Sequence, residues 1–162
     1  MCEFRTNQKW ELLYRATRDG FSAADFHKRC DNKSNTLTII KSTNGNIFGG
    51  YTDKACMSDK QYYSDPNAFL FSLVNKDDKP FKVKLTSNGH TAIYCNGTCG
   101  LIFGYGRDIY ISSNSNTNSD SSSNFGVSYK HPDYQCDSTE AKFILAGSYN
   151  FQTEEIEVFV KI

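Results

Sequence analysis

The sequence has no surplus of either charge. Lysine plus arginine and aspartate plus glutamate each number 18, for a formal net charge of zero. Proteins that grip nucleic acid neutralise phosphates with a basic surplus or stripe, and none is visible. A polybasic membrane anchor is missing too. No apolar run reaches the roughly 20 residues that a spanning helix needs. The strongest, Ala68 to Val74, is interrupted by Ser72. The opening Met1-Cys2-Glu3-Phe4-Arg5 lacks the apolar stretch of a secretory leader. These absences predict a soluble, cytoplasmic domain with no nucleic-acid partner and no membrane insertion.

The common catalytic signatures are missing as well. Gly104-Tyr105-Gly106-Arg107-Asp108 precedes a strand and lacks the third glycine of a dinucleotide fingerprint. Its glycines fit unusual backbone angles or close packing, and Asp108 can accept a hydrogen bond from a nearby turn. Gly49-Gly50 is followed by no Lys-Ser/Thr, so it is no phosphate loop. Ser22 and Ser72 lack a nucleophile elbow. The paired carboxylates Asp77-Asp78 and Glu154-Glu155 stand in polar surroundings, whereas a general acid needs a carboxyl raised by burial. No cofactor is implied.

What the chain does contain is enough apolar mass for one core. It has 162 residues, 38% hydrophobic, with 12 Phe and 10 Tyr. That length suits a single domain over residues 1–162, and aromatics carry a large burial payload. Trp10, Leu13 and Tyr14 recur at helical spacing, which predicts a helix over 8–16. Asp19-Gly20 breaks it. Ser22 is a candidate N-cap with Asp25 three residues on, and Ala23, Phe26, His27 and Cys30 share one face of the helix that follows.

The period then becomes that of strands. Thr36 to Lys41 and Ile47 to Tyr51 flank Asn44-Gly45, a strong hairpin signal. Residues 52–66 read as polar turns. Strands are predicted at Ala68–Val74, buried on both faces, and at Phe81–Leu85, Thr91–Tyr94, Leu101–Phe103, Ile109–Ser112, Phe125–Tyr129, Phe143–Ala146 and Ile156–Ile162. Residues 113–124, almost all Ser, Asn, Thr and Asp, read as a flexible polar loop. The fold class is α+β, mainly β: a two-sheet antiparallel sandwich flanked by short helices, without repeats and monomeric.

Six cysteines are present: Cys2, Cys30, Cys56, Cys95, Cys99 and Cys136. Without a secretory context, free thiols are the simpler expectation. Cys95 and Cys99 lie across a turn and form a redox candidate, with Arg107 as the cation that could lower a thiol pKa. A turn with two small buried thiols is the simpler account. His27 and Cys30 could share a metal, but zinc needs two more ligands. His90 and His131 have no spacing that links them to the pair, so burial on the helix face is the simpler account. Exposed turn residues that could bind a partner are Arg18, Asp19, Asn44, Asn46, Arg107 and Asp108.

Several blocks in fixed order carry a family resemblance. They are Leu13-Tyr14-Arg15-Ala16-Thr17-Arg18-Asp19-Gly20-Phe21-Ser22, then Phe26-His27 with Cys30-Asp31, then Asn46-Ile47-Phe48-Gly49-Gly50-Tyr51. Ser64-Asp65-Pro66-Asn67-Ala68-Phe69-Leu70 and Ile102-Phe103-Gly104-Tyr105-Gly106-Arg107-Asp108 follow, and Ile156-Glu157-Val158-Phe159 closes the series. Over nearly its whole length the chain resembles a TLDc domain, in a version similar to protist and interferon-induced 44-type members. Many members carry a tryptophan where this chain has Ala55-Cys56-Met57. The resemblance implies a helix-flanked β-sandwich. It also implies oxidative-stress protection by a protein-binding domain, with the peripheral-stalk subunits of the vacuolar proton pump, the V-ATPase, as partner. The alternative is an enzyme or thiol antioxidant using Cys95 and Cys99, or Cys30 with His27.

Overall fold

The closing strand organises half of the molecule. The computed structural model describes residues 8–86 and 91–162. Its first half runs β1 (Trp10–Arg15), α1 (Ala16–Asp19), α2 (Ala23–Cys30), β2 (Thr36–Ser42), β3 (Ile47–Thr52), β4 (Asp59–Tyr63), β5 (Phe69–Val74) and β6 (Phe81–Lys84). The second half adds β7 (Ile93–Asn96), β8 (Ile102–Phe103), β9 (Ile109–Tyr110), β10 (Ser121–Ser122), α3 (Thr139–Ile144), β11 (Asn150–Phe151) and β12 (Thr153–Lys161). Among the described residues these strands make two six-stranded antiparallel sheets. Their orders are β1-β12-β2-β3-β5-β6 and β11-β10-β9-β8-β7-β4. The mainly β, two-sheet fold expected from the sequence is therefore the observed one.

Side-chain alternation shows how β2 and β12 pack as adjacent interior strands of their sheet. Thr36, Thr38, Ile40 and Ser42 point inward from β2, while Leu37, Ile39 and Lys41 lie half-buried on the other face. Ile156 and Val158 are the buried counterparts on β12. β2 turns into β3 through the Asn44-Gly45 hairpin as predicted, with register Lys41↔Ile47 to Thr36↔Thr52. The two sheets come close where β3 faces β8. A Cβ on Gly50 would lie 2.6 Å from the Phe103 ring and 2.7 Å from Leu70. Phe48, Leu70, Ile93, Phe103, Ile109, Phe125 and Tyr129 fill the interior, each at most 1% exposed.

Four predicted elements are corrected. Residues 10–15 are a strand rather than a helix, paired with β12 from Trp10↔Lys161 to Arg15↔Glu157. The helical spacing of Trp10, Leu13 and Tyr14 arises from a bulge. Leu12 pairs with Phe159 and Tyr14 with Val158, so Leu13 is the extra residue. The bulge turns Tyr14 fully inward, 1% exposed. Residues 139–144 form α3, where a strand was expected over Phe143–Ala146. The Ser138 side chain caps it by accepting from the Ala141 N–H at 3.1 Å. The stretch 52–66 contains the edge strand β4. Residues 125–129 form a loop with only a Leu85↔Tyr129 bridge.

The serine-rich segment 113–124 is tied down where a flexible loop was expected. Ser115, Ser121 and Ser123 are fully buried. Ser115 Oγ meets Thr153 Oγ1 at 2.6 Å, and Ser112 N donates to Ser121 Oγ at 3.0 Å. Ser115 and Ser121 offset the ordering cost here through polar packing, whereas the buried Ser123 hydroxyl has no hydrogen-bond partner among the described residues.

The expected helix after Gly20 is α2. Ser22 accepts from the Asp25 N–H at 3.1 Å, and Asp25 accepts in return from the Ser22 N–H, completing a capping box. Phe26 and Cys30 face the core from it, and His27 turns toward the β7–β8 connection.

Candidate functional site

Helix α2 delivers His27 into a polar cluster built from three chain segments. Its Nε2 lies 2.7 Å from the Cys99 carbonyl oxygen and 3.0 Å from that of Asn96. Carbonyl oxygens only accept, so Nε2 carries a hydrogen and donates. Nδ1 then faces Asp31 Oδ1 at 2.7 Å and Ser58 Oγ at 2.9 Å. Ser58 donates to the other carboxylate oxygen, Oδ2, at 2.6 Å. Asp31 sits four residues after His27 at the end of α2, where i and i+4 share a face. Ser58 has φ of +57°, which aims its hydroxyl back at the helix end. The Asn32 N–H holds the same segment by donating to the Cys56 carbonyl at 2.9 Å.

A sulfur completes the cluster. Ligand atoms of His27, Asp31 and Cys56 all lie within 4.8 Å of one another. Cys56 is bonded to Cys95 on β7, with Cα atoms 5.4 Å apart. This corrects the expectation of free thiols at these two positions, and it separates the Cys95/Cys99 redox pair. Cys30, Cys99 and Cys136 are free. Burial pushes the Cys30 thiol up to about 12, helped by the nearby Asp31 charge. Burial also pushes Cys99 up, against a smaller opposing effect of Arg107. Neither is an activated nucleophile. Cys30 is not among the side chains His27 meets, so the His27/Cys30 pair does not form. Cys2 and His90 lie outside the described residues.

The six turn residues singled out from the sequence do not converge. Asp19 is only 5% exposed along its side chain. It accepts from Arg18 Nη2 at 2.7 Å, from the Arg15 N–H at 3.0 Å and from Arg29 at 3.2 Å. The Arg18 hydrogen bond, then the Arg15 N–H, holds its carboxyl down to about 2. Arg18 itself reaches into solvent. Asn44 is exposed and donates to the Ala146 carbonyl and to Ser148 Oγ, both at 3.0 Å. Asn46 and Asp108 are buried, not exposed as expected. Asn46 braces the end of α3 through the Ile144 carbonyl. Asp108 is fully buried and accepts from the N–H groups of Gly126, Val127, Ser128 and Tyr129 at 3.0–3.1 Å. Arg107 is exposed and lies over the Tyr110 ring at 4.7 Å.

Two surface features went unread in the sequence. Tyr62 on β4 contacts Tyr94 at 4.5 Å and Tyr105 at 5.6 Å between ring centroids. Tyr62 is 45% exposed and Tyr105 66%. β4 reads Asp59-Lys60-Gln61-Tyr62-Tyr63, with no apolar alternation to mark it as a strand. A second feature is a cleft of about 240 Å³ lined by Trp10, Tyr51, Phe69, Asp53, Asn67 and Lys82. No helix among the described residues is long and apolar enough to cross a membrane.

Comparison with known proteins finds related sequences. One stretch is 27% identical over 85 residues to the MTOR-associated protein MEAK7 of Danio rerio, covering 52% of this chain and 18% of that protein. Another is 34% identical over 65 residues to MEAK7 of Gallus gallus, covering 40% of this chain and 14% of that protein. The matches thus span less than a fifth of those relatives' length. The sequence profile of the TLDc domain matches residues 1–161, and the chain belongs to the TLDc domain family.

Proposed function

We infer that this TLDc domain is a noncatalytic protein-interaction module that acts in oxidative-stress protection by binding peripheral-stalk subunits of the V-ATPase. The observation that supports a binding role most directly is the tyrosine array of Tyr62, Tyr94 and Tyr105. Monomeric surfaces seldom hold aromatic rings in mutual contact and open to water without a use for them. Tyrosine is also among the residues that dominate interface energetics, because it offers large area at low entropy cost. Tyr62 lies on an edge strand whose other residues from Asp59 to Gln61 are exposed, so a partner can approach it. The similarity to MEAK7, which is named for its association with MTOR, fits a domain that works through protein partners.

The noncatalytic part rests on how the buried ionisable groups are used. Asp108 spends its oxygens on backbone N–H donors, and the free thiols Cys30 and Cys99 are pushed up by burial. The test is a pull-down of purified peripheral-stalk subunits by the wild-type domain and by Tyr62→Ala/Tyr105→Ala at micromolar concentrations. Capture by the wild type and a loss of about tenfold or more in the variant is the expected result, since a truncated aromatic anchor costs about 2 kcal/mol. No capture by the wild type removes the pump from the account. Equal capture by both proteins moves the binding surface elsewhere.

A further inference from the structure

We propose that reduction of the Cys56–Cys95 disulfide opens a four-ligand site for a zinc-class divalent cation, made by His27 Nδ1, the Asp31 carboxylate and the two freed sulfurs. Three of these donors already stand together, with ligand atoms of His27, Asp31 and Cys56 within 4.8 Å of one another. Cys95 is one bond from Cys56. Zinc held at about 2.0–2.3 Å by four ligands keeps them roughly 3.3–3.8 Å apart. The 4.8 Å bound on the three standing donors lies about 1 Å beyond that spacing.

The surroundings are those of a ligand set rather than of a bare ion pair. A metal-binding histidine uses one nitrogen for the ion and donates the other N–H to a carbonyl or carboxylate, which fixes the tautomer and the ring plane. His27 has this arrangement. Two backbone carbonyls, of Asn96 and Cys99, hold Nε2 and leave Nδ1 for the cluster. Ser58 plays the matching part for the carboxylate, donating to Oδ2 and leaving Oδ1 turned to Nδ1. The ring is also set edge-on against Phe26, with centroids 5.2 Å apart.

The donor chemistry selects the class of ion. Two thiolates, one imidazole and one carboxylate suit a borderline-soft, tetrahedral cation, and they disfavour calcium or magnesium, which take oxygen ligands. Solvent access is limited, since His27 and Asp31 side chains are 10% and 21% exposed and Cys95 is 1% exposed. The site joins the end of α2 to the segment entering β4 and to β7.

Metal binding and the disulfide are mutually exclusive, because both use the same sulfurs. With hydrogen peroxide as oxidant, the two zinc-bound thiolates give up two electrons and form the S–S bond. The peroxide takes those electrons with two protons and leaves as two waters, and the cation departs. Oxidation thus replaces one cross-link with another between the same two segments and ejects the ion.

Cobalt(II) is the probe, titrated into the full chain after reduction by a phosphine and, in parallel, into the oxidised chain. The reduced protein is expected to bind about one cobalt per chain, with a thiolate-to-metal charge-transfer band and the visible bands of a tetrahedral ion. The oxidised protein is expected to show neither. His27→Ala and Cys56→Ser should each weaken binding by at least about tenfold, while Cys136→Ser leaves it unchanged. Peroxide added to the zinc-loaded protein should release zinc to a chromogenic chelator as two thiols disappear. A reduced, folded wild type without the charge-transfer band overturns the proposal and needs no variant to do so. Equal cobalt binding by the oxidised chain, or undiminished binding by folded Cys56→Ser, overturns it as well.

Discussion

Gly104 carries no side chain because Asp108 occupies the space one would need. A Cβ at Gly104 would fall inside van der Waals contact of Asp108 Oδ2 and 3.0 Å from Ser128 Oγ, and the residue has φ of +79°. The glycine therefore serves the carboxylate. It lets the β8–β9 turn close while Asp108 reaches across to the loop at Gly126–Tyr129.

Replacing Asp108 is expected to destabilise the fold in graded fashion. Its Oδ1 accepts from four backbone N–H groups, and its Oδ2 only from that of Ser128. Asp108→Asn keeps an oxygen for the first set but turns an amide donor toward the Ser128 N–H. A buried donor left unmatched costs about 1–3 kcal/mol. Asp108→Ala strands all four donors and should cost more than Asp108→Asn. Urea denaturation near neutral pH measures both. Equal stability of alanine, asparagine and wild type would show that the loop does not depend on this carboxylate.

The same group sets a pH dependence. Burial pushes Asp108 up to about 6, and the backbone donors limit the rise. Its unfolded value is the ordinary 3.8, so the folded chain holds this proton more tightly than the unfolded chain does. The resulting stabilisation is complete below the unfolded value and is lost as pH rises through about 6. A shift of this size corresponds to about 3 kcal/mol in full, of which about 2 is recovered by pH 4. Asp19 works in the opposite direction. Held down to about 2, it stabilises above 3.8 and loses that contribution as pH falls through about 2. Between about pH 8 and about pH 4, wild type should gain about 2 kcal/mol relative to Asp108→Asn. Parallel pH profiles for the two proteins would contradict this assignment.

At the meeting of the two sheets, Gly50→Ala is expected to be costly. The added methyl would stand 2.6 Å from Phe103 and 2.7 Å from Leu70, both fully buried. Overpacking of this kind typically costs about 1–3 kcal/mol. Gly45→Ala is the contrasting case. Nothing lies within 4 Å of the added carbon, and its cost comes from the φ of +86° alone. Thermal and urea unfolding of Gly50→Ala against wild type reads the sheet-to-sheet clash, with Gly45→Ala reading backbone strain separately.

How much of this was legible in the sequence follows from where each signal is written. The Thr43–Asn46 hairpin and the Ser22/Asp25 cap are local, and both were read correctly. Trp10, Leu13 and Tyr14 misled because a bulged strand and a helix produce the same spacing, and pairing with β12 decided between them. Helix α3 was missed because its cap, Ser138, lies outside the apolar run that was read as a strand. Asp108 was recognised as an acceptor for a turn, but its full burial depends on residues 18 to 21 positions away. The His27 cluster was the least legible feature. Its partners Ser58 and Cys99 are 31 and 72 residues distant, so only Asp31 at i+4 left a trace.

The Cys56–Cys95 bond is expected to contribute strongly to stability in the oxidised form. It closes a loop of 39 residues, for which the chain-entropy estimate is about 4 kcal/mol. Two-state unfolding in urea with and without a phosphine reductant, in the presence of a chelator, reads this contribution directly. The oxidised wild type should exceed the reduced wild type by up to about 4 kcal/mol. Cys56→Ser/Cys95→Ser should match the reduced protein, because it lacks the same cross-link. An oxidised protein no more stable than the double variant would mean that the strain of closing the bond cancels its entropic gain. A reduced protein that regains stability when zinc replaces the chelator, while the double variant does not, would tie the second cross-link to the same two sulfurs.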